Sequence, residues 1–186
     1  MEGSLVIDHA IELQLLNPDH RDELFELIDT NRAHLREWLP WVDANRSPAD
    51  SEAFIASAIR QYESGKGPQY AIYYSAVLAG VCGFHPLDVT NRIGGIGYWL
   101  GEAYSGLGIM TSTVRTLVGV GFQRYDLNRI EIACASNNTR SRAIPERLGF
   151  RFEGVLRERE YLYGKYVDHA FYSLLASEFP LEGASA

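Results

Sequence analysis

The chain has 186 residues, of which 46% are hydrophobic and 22% are charged, a composition that is ordinary for a globular protein and excludes the disordered and fibrous classes. Its formal net charge of −7 argues against a general nucleic-acid binder, which needs a basic surface to collect phosphates. An anionic ligand would therefore have to be held by a local arrangement of donors.

The first residues, MEGSLVIDHAIELQLL, contain an opening pair of predicted strands. Acidic residues interrupt the apolar ones and no basic segment precedes them, so the stretch does not predict a signal peptide. No apolar run in the sequence approaches the roughly 18 residues that a membrane-spanning helix requires. We therefore expect a cytoplasmic protein with no membrane partner.

Two helices are predicted next. The first lies within NPDHRDELFELIDTNRAHLREW, with Asn17 as its cap and Pro18 at the first helical position. The second begins near Ser47 or Pro48 and ends at Gly65.

The middle of the chain predicts three strands, a helix and a further strand. The runs QYAIYYS and VLAGVCGF are rich in β-branched and aromatic residues and predict a hairpin that turns at Ser75 and Ala76. The run RIGGIGYWL follows as a third strand, whose glycines suit a β-bulge. Apolar residues then recur at helical spacing from Ile109 to Tyr125, and NRIEIACA is typical of a buried strand.

The last third predicts a short helix over about Thr139–Leu148 and two strands, FEGVLREREYLY and VDHAFYSLL, joined by a turn at Gly164 and Lys165. The order of elements is ββ, αα, βββ, α, β, α, ββ, without an internal repeat or a linker. It predicts one domain over residues 1–186 of the α/β (α+β) class, with a short flexible tail from about residue 180.

Neither a disulfide nor a metal site is predicted. Cys82 and Cys134 each lie inside an apolar run, which favours buried, reduced thiols. His34, His85 and His169 have no partner at the spacing of metal ligands, and an isolated histidine is usually structural or exposed.

Two glycines, Gly106 and Gly108, lie between the strand that ends near Leu100 and the helix that begins near Ile109. Glycines at such a junction let backbone N–H groups approach a ligand, and the first helical turn offers further unpaired N–H groups at the positive end of its dipole. The arrangement suits a phosphate or pyrophosphate, with Thr111 and Ser112 as added hydroxyl donors. The stretch is neither a Walker P-loop nor a GxGxxG motif, and on local grounds a plain turn is the alternative.

A longer block, YWLGEAYSGLGIMTSTVRTLVGVGF followed by LNRIEIACASNNTRSRAIPERLGFRFEGVLRERE, resembles the GNAT superfamily of acetyl-CoA-dependent N-acetyltransferases. It is most similar to the RimJ/RimL-type branch, the ribosomal-protein serine and alanine N-terminal acetyltransferases, and the resemblance runs from about Ile11 to Leu175. It implies a GNAT fold with a central mixed, mostly antiparallel, splayed sheet flanked by helices. It also implies acetyl-CoA as co-substrate without a metal, a primary amine as acceptor, and a homodimer.

The resemblance assigns the coenzyme A site. The superfamily's pyrophosphate loop, Gln/Arg-x-x-Gly-x-Gly/Ala, corresponds to residues 105–110, and the pantetheine arm is expected to pair with the strand that ends at Leu100. Ser105 replaces the usual Gln or Arg, Met110 replaces a small residue, and Leu107 adds no charge, so the affinity could be lower than usual. The residues implied to bind the cofactor are Tyr98, Trp99, Leu100, Ser105, Gly106, Leu107, Gly108, Ile109, Met110, Thr111, Asn138 and Ser141.

The resemblance also assigns the catalytic residues. Pro145 replaces the tyrosine that protonates the departing thiolate in many members, and the branch offers Ser141 beside the thioester sulfur, with Asn138 bonding the pantetheine arm. Both residues could instead cap the short helix. Glu160 matches the carboxylate that takes the amine's proton, although a surface ion pair is its alternative role. Glu158, on the same face of a regular strand, is the competing candidate.

The acceptor pocket is implied to be walled by Asn31, Trp38 and Trp41, together with Glu160. The two tryptophans could equally pack against the sheet. Fold and cofactor motif are shared across many acceptors, so an antibiotic, a peptide or a polyamine is an alternative to a protein N-terminus. A coenzyme A-binding module without catalysis is a further alternative, suggested by the departures in the glycine loop.

Overall fold

The computed structural model describes residues 3–179, so the predicted flexible tail lies outside the described residues. The order of elements agrees with the predicted one apart from one additional short helix. In chain order the elements are β1 (Ser4–Val6), β2 (Ile11–Leu15), α1 (Arg21–Thr30), α2 (Arg32–Arg36), α3 (Pro48–Glu63), β3 (Gln69–Tyr74), β4 (Val77–Phe84), β5 (Ile93–Leu100), α4 (Ile109–Arg124), β6 (Arg129–Ala135), α5 (Thr139–Arg147), β7 (Arg151–Leu162) and β8 (Lys165–Leu175).

The additional helix arises because the predicted first helix is interrupted. Asn17 caps a single 3-10 turn, whose His20 side chain accepts the Asn17 N–H in return, and α1 follows. At Asn31 the backbone leaves the helical region, with φ −115° and ψ 16°. The Asn31 side-chain amide donates to the Leu27 carbonyl oxygen at 2.9 Å, which is the competition with the helical ladder expected of asparagine. The prediction of one continuous helix was therefore wrong at this residue.

The eight strands of the described chain form one sheet in the order β1-β2-β3-β4-β5-β6-β8-β7. Every neighbouring pair is antiparallel except β5 and β6, which run parallel. The parallel pairing joins Ile93–Gly95 to Arg129–Glu131, and beyond these residues the two strands separate. This geometry confirms the predicted mixed, mostly antiparallel, splayed sheet.

The glycines of β5 serve close packing, and the predicted bulge at these residues was wrong. β4 and β5 keep an unbroken register along their whole pairing. The register shifts instead between β3 and β4, at Ile72 and Tyr73. Because a Cβ added at Gly94 would lie 2.7 Å from Cδ1 of Leu127, a side chain at this position would collide with the core.

Helices cover the two faces of the sheet unequally. Val81 packs into a cluster with α1, α2 and α3, whereas its neighbour Cys82 packs into a second cluster with α4, so the two sets of helices lie on opposite faces. α4 and α5 together cover β4, β5, β6 and β7 on their face. α1 and α3 pack on β3 and β4, and Ala133 in the middle of β6 is exposed on that face. Within residues 3–179, the C-terminal half of the sheet is thus less covered on the side of α1 to α3.

Candidate active site

The splay between β5 and β6 opens a cleft of about 2370 Å³ that reaches both faces of the sheet. We distinguish its α5 side, which carries Tyr98, Cys134, Asn138, Ser141 and Arg147, from its β7 side, which carries Trp38, Trp41, Glu131, Glu160 and His169. The two sides meet at the separated edges of β5 and β6.

The edge of β5 that faces the cleft carries free backbone groups. Along an antiparallel pair of strands, every second residue forms its backbone hydrogen bonds with the partner strand. The Gly101 N–H donates to the Ala79 carbonyl at 2.9 Å, which shows which residues of β5 bond to β4. The backbone of Trp99, two residues earlier, therefore bonds to β4. The backbone groups of Tyr98 and Leu100 point into the cleft, where they can pair with an extended ligand arm.

The glycine loop fits a pyrophosphate. Gly106 and Gly108 have φ of +82° and +80°, a region that glycine enters freely, and an added Cβ at either would meet no atom within 4 Å. Gly108 is the N-cap of α4, and no side chain caps the helix. The N–H groups of the first turn of a 16-residue helix are therefore available to an anion.

The side chains of the loop take different positions. Ile109 and Met110 are buried in the core, so these two residues can contribute backbone N–H groups alone. Ser105 and Thr111 line the cleft together with both glycines. Leu107 is 54% exposed and lies outside the lining, so its side chain points to solvent and away from a bound phosphate.

Two arginines that were not predicted as site residues bring positive charge to the loop. Arg140 and Arg147 of α5 both line the cleft, and Arg147 Nη1 donates to Thr111 Oγ1 at 3.4 Å. Their spacing of two helical turns was the signal in the sequence that could have found them. Their charge offsets the absence of a basic side chain at Ser105 and Leu107.

A hydroxyl pair lies on the α5 side. Asn138 caps α5 by accepting the Ser141 N–H at 3.0 Å, so the helix-cap role expected as its alternative is realised. The Ser141 hydroxyl donates to the Tyr98 hydroxyl oxygen at 3.3 Å, and the Tyr98 hydroxyl donates to the Ser141 carbonyl at 3.1 Å. Burial raises the pKa of Tyr98 far above its ordinary value, so the phenol stays protonated.

Both cysteines are free and buried, as predicted. Cys134 lies on the α5 side, and Cys82 also reaches the lining of the cleft. Burial raises the pKa of each thiol, so neither carries the thiolate that nucleophilic chemistry requires.

Glu160 and His169 meet on the β7 side, where Glu160 Oε2 lies 3.4 Å from His169 Nε2. The expectation that Glu158 shares a face with Glu160 was wrong, because the register of β7 shifts between Leu156 and Glu160. Glu158 has φ +49°, is exposed, and donates its backbone N–H to Asp168 Oδ1 at 2.7 Å. Glu160 lines the cleft and Glu158 does not.

Aromatic residues wall the β7 side. Trp38 and Trp41 line the cleft, and the Trp41 ring lies 5.9 Å from that of Trp99 on the sheet, so Trp41 both packs on the sheet and faces the cleft. Tyr163, at the turn between β7 and β8, donates its hydroxyl to the Leu39 carbonyl at 2.8 Å. This bond joins the C-terminal hairpin to the segment after α2.

Asn31 stands outside this wall. Its amide nitrogen bonds the Leu27 carbonyl, and its amide oxygen accepts the Glu102 N–H at 2.8 Å. Both ends of the amide are occupied and the residue does not line the cleft, so its geometry favours anchoring the glycine loop over contacting an acceptor.

The acidic residues that line the sheet part of the cleft are Glu131 and Glu160. Arg129 Nε lies 2.6 Å from Glu131 Oε1, and Arg129 Nη2 lies 2.6 Å from Glu153 Oε2. The guanidinium and the Ser173 hydroxyl hold the pKa of Glu153 at about 2. Arg129 thus neutralises its two partners, whereas Glu160 has no arginine or lysine partner within residues 3–179.

Two searches of the described residues gave negative results. No set of three or more His, Cys, Asp or Glu side chains within 3–179 is arranged to hold a metal ion. Over the same range, no helix has the length and apolar character to cross a membrane.

Comparison with known proteins identifies relatives of the whole fold. Residues 11–151 match the family model described as an acetyltransferase (GNAT) domain. The putative ribosomal N-acetyltransferase YdaF of Bacillus subtilis is 38% identical over 175 residues, which cover 93% of this chain and 95% of that protein. The ribosomal-protein-serine acetyltransferase of Escherichia coli is 28% identical over 173 residues, which cover 93% and 97%.

Solved structures agree with these relatives. RimL, a ribosomal alpha-N-protein acetyltransferase in complex with coenzyme A, superposes with a TM-score of 0.89 at 29% identity, covering 92% of this chain and 97% of its own. A microcin self immunity acetyltransferase in complex with acetyl-CoA and AMP also gives a TM-score of 0.89 at 29% identity, covering 94% and 97%.

Proposed function

This chain belongs to the GNAT acetyltransferase family and is an acetyl-CoA-dependent N-acetyltransferase, and we propose that its acceptor is the N-terminal amine of a protein, in the first place a ribosomal protein. The observation that carries this proposal is the match, over 93% of the chain, to a relative named for acetylating a ribosomal-protein serine. The reaction would then take place in the cytoplasm, where ribosomal proteins are synthesised.

The loop and α5 are proposed to hold the co-substrate. The N–H groups behind Gly106 and Gly108 face the pyrophosphate, while Arg140 and Arg147 supply positive charge. The backbone of Tyr98 and Leu100 pairs with the pantetheine arm. The fit rests on an uncapped helix N-terminus, two open glycines and a strand edge with free backbone groups.

Acetyl transfer needs a donor for the oxyanion that develops on the thioester carbonyl. The Tyr98 N–H points into the cleft where β5 and β6 separate, and we assign it this role. The attacking amine forms the new C–N bond, and the C–S bond then breaks as the oxyanion collapses, while the nitrogen loses its surplus proton and the thiolate takes one up. Ser141 is proposed to supply that proton, with the Tyr98 hydroxyl as its hydrogen-bonding partner. Pro145 carries no proton for this step.

Glu160 is proposed to bind the acceptor's ammonium group and to take part in removing its proton. The carboxylate lines the cleft, and within residues 3–179 its ion-pair partner is a histidine, with no arginine or lysine paired to it. Trp38 and Trp41 are proposed to wall the acceptor site, since both line the same side of the cleft.

A second candidate acceptor is a peptide antibiotic. It is favoured by the similarity to the microcin self immunity acetyltransferase, which covers 94% of this chain. The chemistry is the same in both cases, and the difference would lie in the acceptor pocket.

We also propose that the protein is a homodimer through its C-terminal hairpin. β7 is the edge strand of the sheet, and its Phe152 and Tyr161 are 50% and 58% exposed. Tyr166 of β8 is 62% exposed and lies beside Tyr161. An exposed apolar edge strand of this kind is typical of an interface with another chain. Light scattering should therefore give twice the mass of the monomer.

The acceptor is tested with the wild-type protein, acetyl-CoA and a panel of amines. The panel contains a peptide with an N-terminal serine, the same peptide blocked at its N-terminus, a lysine side-chain amine, an aminoglycoside and spermidine. Thiol release and mass spectrometry are expected to report acetylation of the free N-terminus and none of the blocked peptide. Turnover of the aminoglycoside or spermidine alone would reject the protein N-terminus.

A further inference from the structure

His85 follows β4 and lies against the glycines of β5. Its backbone N–H donates to the Gly95 carbonyl at 2.8 Å, which fixes the residue on the strand. A Cβ added at Gly97 would lie 3.1 Å from His85 Nε2, and one at Gly95 would lie 3.3 Å from Cδ2. The two glycines therefore form the surface, or seat, on which the imidazole lies, and a Cβ at position 97 would push Nε2 away by a few tenths of an ångström.

This seat lies where β5 and β6 part. The parallel pairing ends at Gly95 and Glu131, and Gly97 immediately precedes Tyr98, whose N–H is the proposed oxyanion donor. The side chain of residue 97 would point to the β7 side, since side chains alternate along a strand and Trp99 faces that side. Nε2 thus lies on the face from which an acceptor reaches the thioester.

The imidazole is available to a ligand. It lines the cleft and is exposed to its solvent, and within residues 3–179 its ring nitrogens form no hydrogen bond with the protein. Desolvation by the surrounding strand atoms lowers the pKa of His85, so the ring is neutral at neutral pH and has a free acceptor nitrogen.

Other ionisable groups line the same cleft. Glu131, opposite Gly95 on β6, is paired with Arg129. Glu160 on β7 and His169 on β8 face each other, and His169 pairs in register with Ala135 at the wide end of the opening. Asp88, in the loop after His85, bonds Asn91 through its carboxylate. Further ionisable residues of the lining are Arg159 on β7 and, from the side of α1 to α3, His34, Glu37 and Asp50.

We propose that His85 is a catalytic residue that accepts the ammonium proton of the acceptor amine. The proton passes from the ammonium nitrogen to Nε2, directly or through one water, and leaves a neutral amine whose electron pair forms the C–N bond. The C–S bond then breaks, and the second amine proton is lost as the coenzyme A thiolate gains one. In this arrangement Glu160 binds and orients the cation, and His85 takes its proton at the point where β5 and β6 separate.

The proposal rests on the proposed N-acetyltransfer to a protein N-terminus, so it is tested first by a measurement that needs no acceptor. In protein carrying ¹³C-labelled histidine, the ring signal that disappears in His85→Gln identifies the residue. Addition of acetyl-CoA alone is expected to shift this signal and to leave that of the exposed His9 unchanged. A His85 signal that does not move at saturating acetyl-CoA would overturn the proposal, whether or not the protein acetylates the panel.

The second measurement is the pH profile of kcat/KM with the serine peptide. At pH 7, His85→Gln is expected to lose about 100-fold, in the range of general base catalysis. The loss should shrink to under about 10-fold at pH 9, because an α-amine with a pKa near 7.7–8.0 is already deprotonated there. Gly97→Ala, which pushes the ring by a few tenths of an ångström, should show a smaller loss with the same pH dependence, whereas His9→Gln should match the wild type.

A loss in His85→Gln that is the same at every pH would reduce the residue to a packing role and overturn the proposal. An unchanged profile would assign proton removal to Glu160 alone. If the wild type acetylates no member of the panel, the proposed function fails, and the ring signal still decides whether His85 lies at the thioester.

Discussion

The two sides of the cleft are built by different means. On the α5 side, part of the geometry is local, as in the cap from Asn138 to Ser141 and the uncapped first turn of α4. Two tertiary bonds complete it, from Ser141 to Tyr98 and from Arg147 to Thr111. On the β7 side, the contacts that shape the wall join distant segments, as in the bond from Tyr163 to Leu39. The comparison teaches that the side with the glycine loop depends in larger part on local geometry, whereas the side with Glu160 depends on tertiary contacts that loops and bulges can change.

The largest effect is expected from Gly108→Asp, on the α5 side. An aspartate at φ +80° adds strain of about 1–2 kcal/mol and puts a negative charge beside the pyrophosphate. We expect the affinity for acetyl-CoA to fall by about 100-fold, as measured by calorimetry.

The matched control is Gly119→Ala in the same helix, where an added Cβ meets no atom within 4 Å. It should raise the free energy of unfolding by up to about 1 kcal/mol and leave binding within about twofold. Equal affinities in Gly108→Asp and Gly119→Ala would mean that the co-substrate does not lie on this loop.

The second prediction separates the two glutamates of the β7 side. Glu160→Gln should lower kcat/KM by about 100-fold, because the side chain that lines the cleft loses its charge. Glu158→Gln should remain within about twofold, since the bulge turns that residue away from the cleft. Steady-state kinetics with the serine peptide gives both values, and a reversal of the two would reject the assignment of Glu160.

The contrast between the sides also explains what could be predicted from the sequence. Helix α4, the hairpin at Ser75 and Ala76 and the glycine loop follow from periodicity, positive-φ turns and helix-terminus chemistry, all of which are local. The break at Asn31 depends on a side chain bonding Leu27, a choice that periodicity does not encode.

The missed contacts of the site are tertiary. The bulge in β7 removes Glu158 from the face of Glu160, and strict alternation gave no sign of it. The sequence offers His169 no partner at metal-ligand spacing, whereas the fold brings Glu160 beside it from the adjacent strand. Arg147 reaches Thr111 because α5 packs beside the start of α4.

The third prediction concerns the hydroxyl pair of the α5 side. Tyr98→Phe removes the partner of the Ser141 hydroxyl and should lower kcat by about tenfold, with a loss of about 1 kcal/mol in the free energy of unfolding. Binding of acetyl-CoA should change little, because the backbone of Tyr98 is retained. If the two hydroxyls act as a unit, Ser141→Ala in this background adds almost no further loss of kcat, and fully additive effects would show that they act separately.

The smallest expected effect is a pH dependence of stability that arises outside the cleft. His20 is buried before α1, and its Nδ1 accepts the Asn17 N–H at 3.1 Å, a bond that requires the unprotonated nitrogen. Desolvation lowers the pKa of His20 in the folded protein below the ordinary value of 6.5, although Glu23 and Asp19 oppose the shift. The unfolded chain therefore binds the proton more readily. The stability contribution is complete above pH 6.5 and is lost as the pH falls below it.

Between pH 7.5 and 5.5 the free energy of unfolding is expected to fall by about 1 kcal/mol, the typical contribution of one hydrogen bond. Urea unfolding at the two pH values measures this difference. His20→Gln should be less stable at pH 7.5 and should lose this pH dependence, while His9→Gln should keep it. The Leu27 carbonyl of α1 accepts the Asn31 amide, and the Asn31 amide oxygen accepts the Glu102 N–H just before the glycine loop. Loss of stability in α1 at low pH should therefore lower the stability of both sides of the cleft together. Unfolding that is unaltered between pH 7.5 and 5.5 would contradict the assignment to His20.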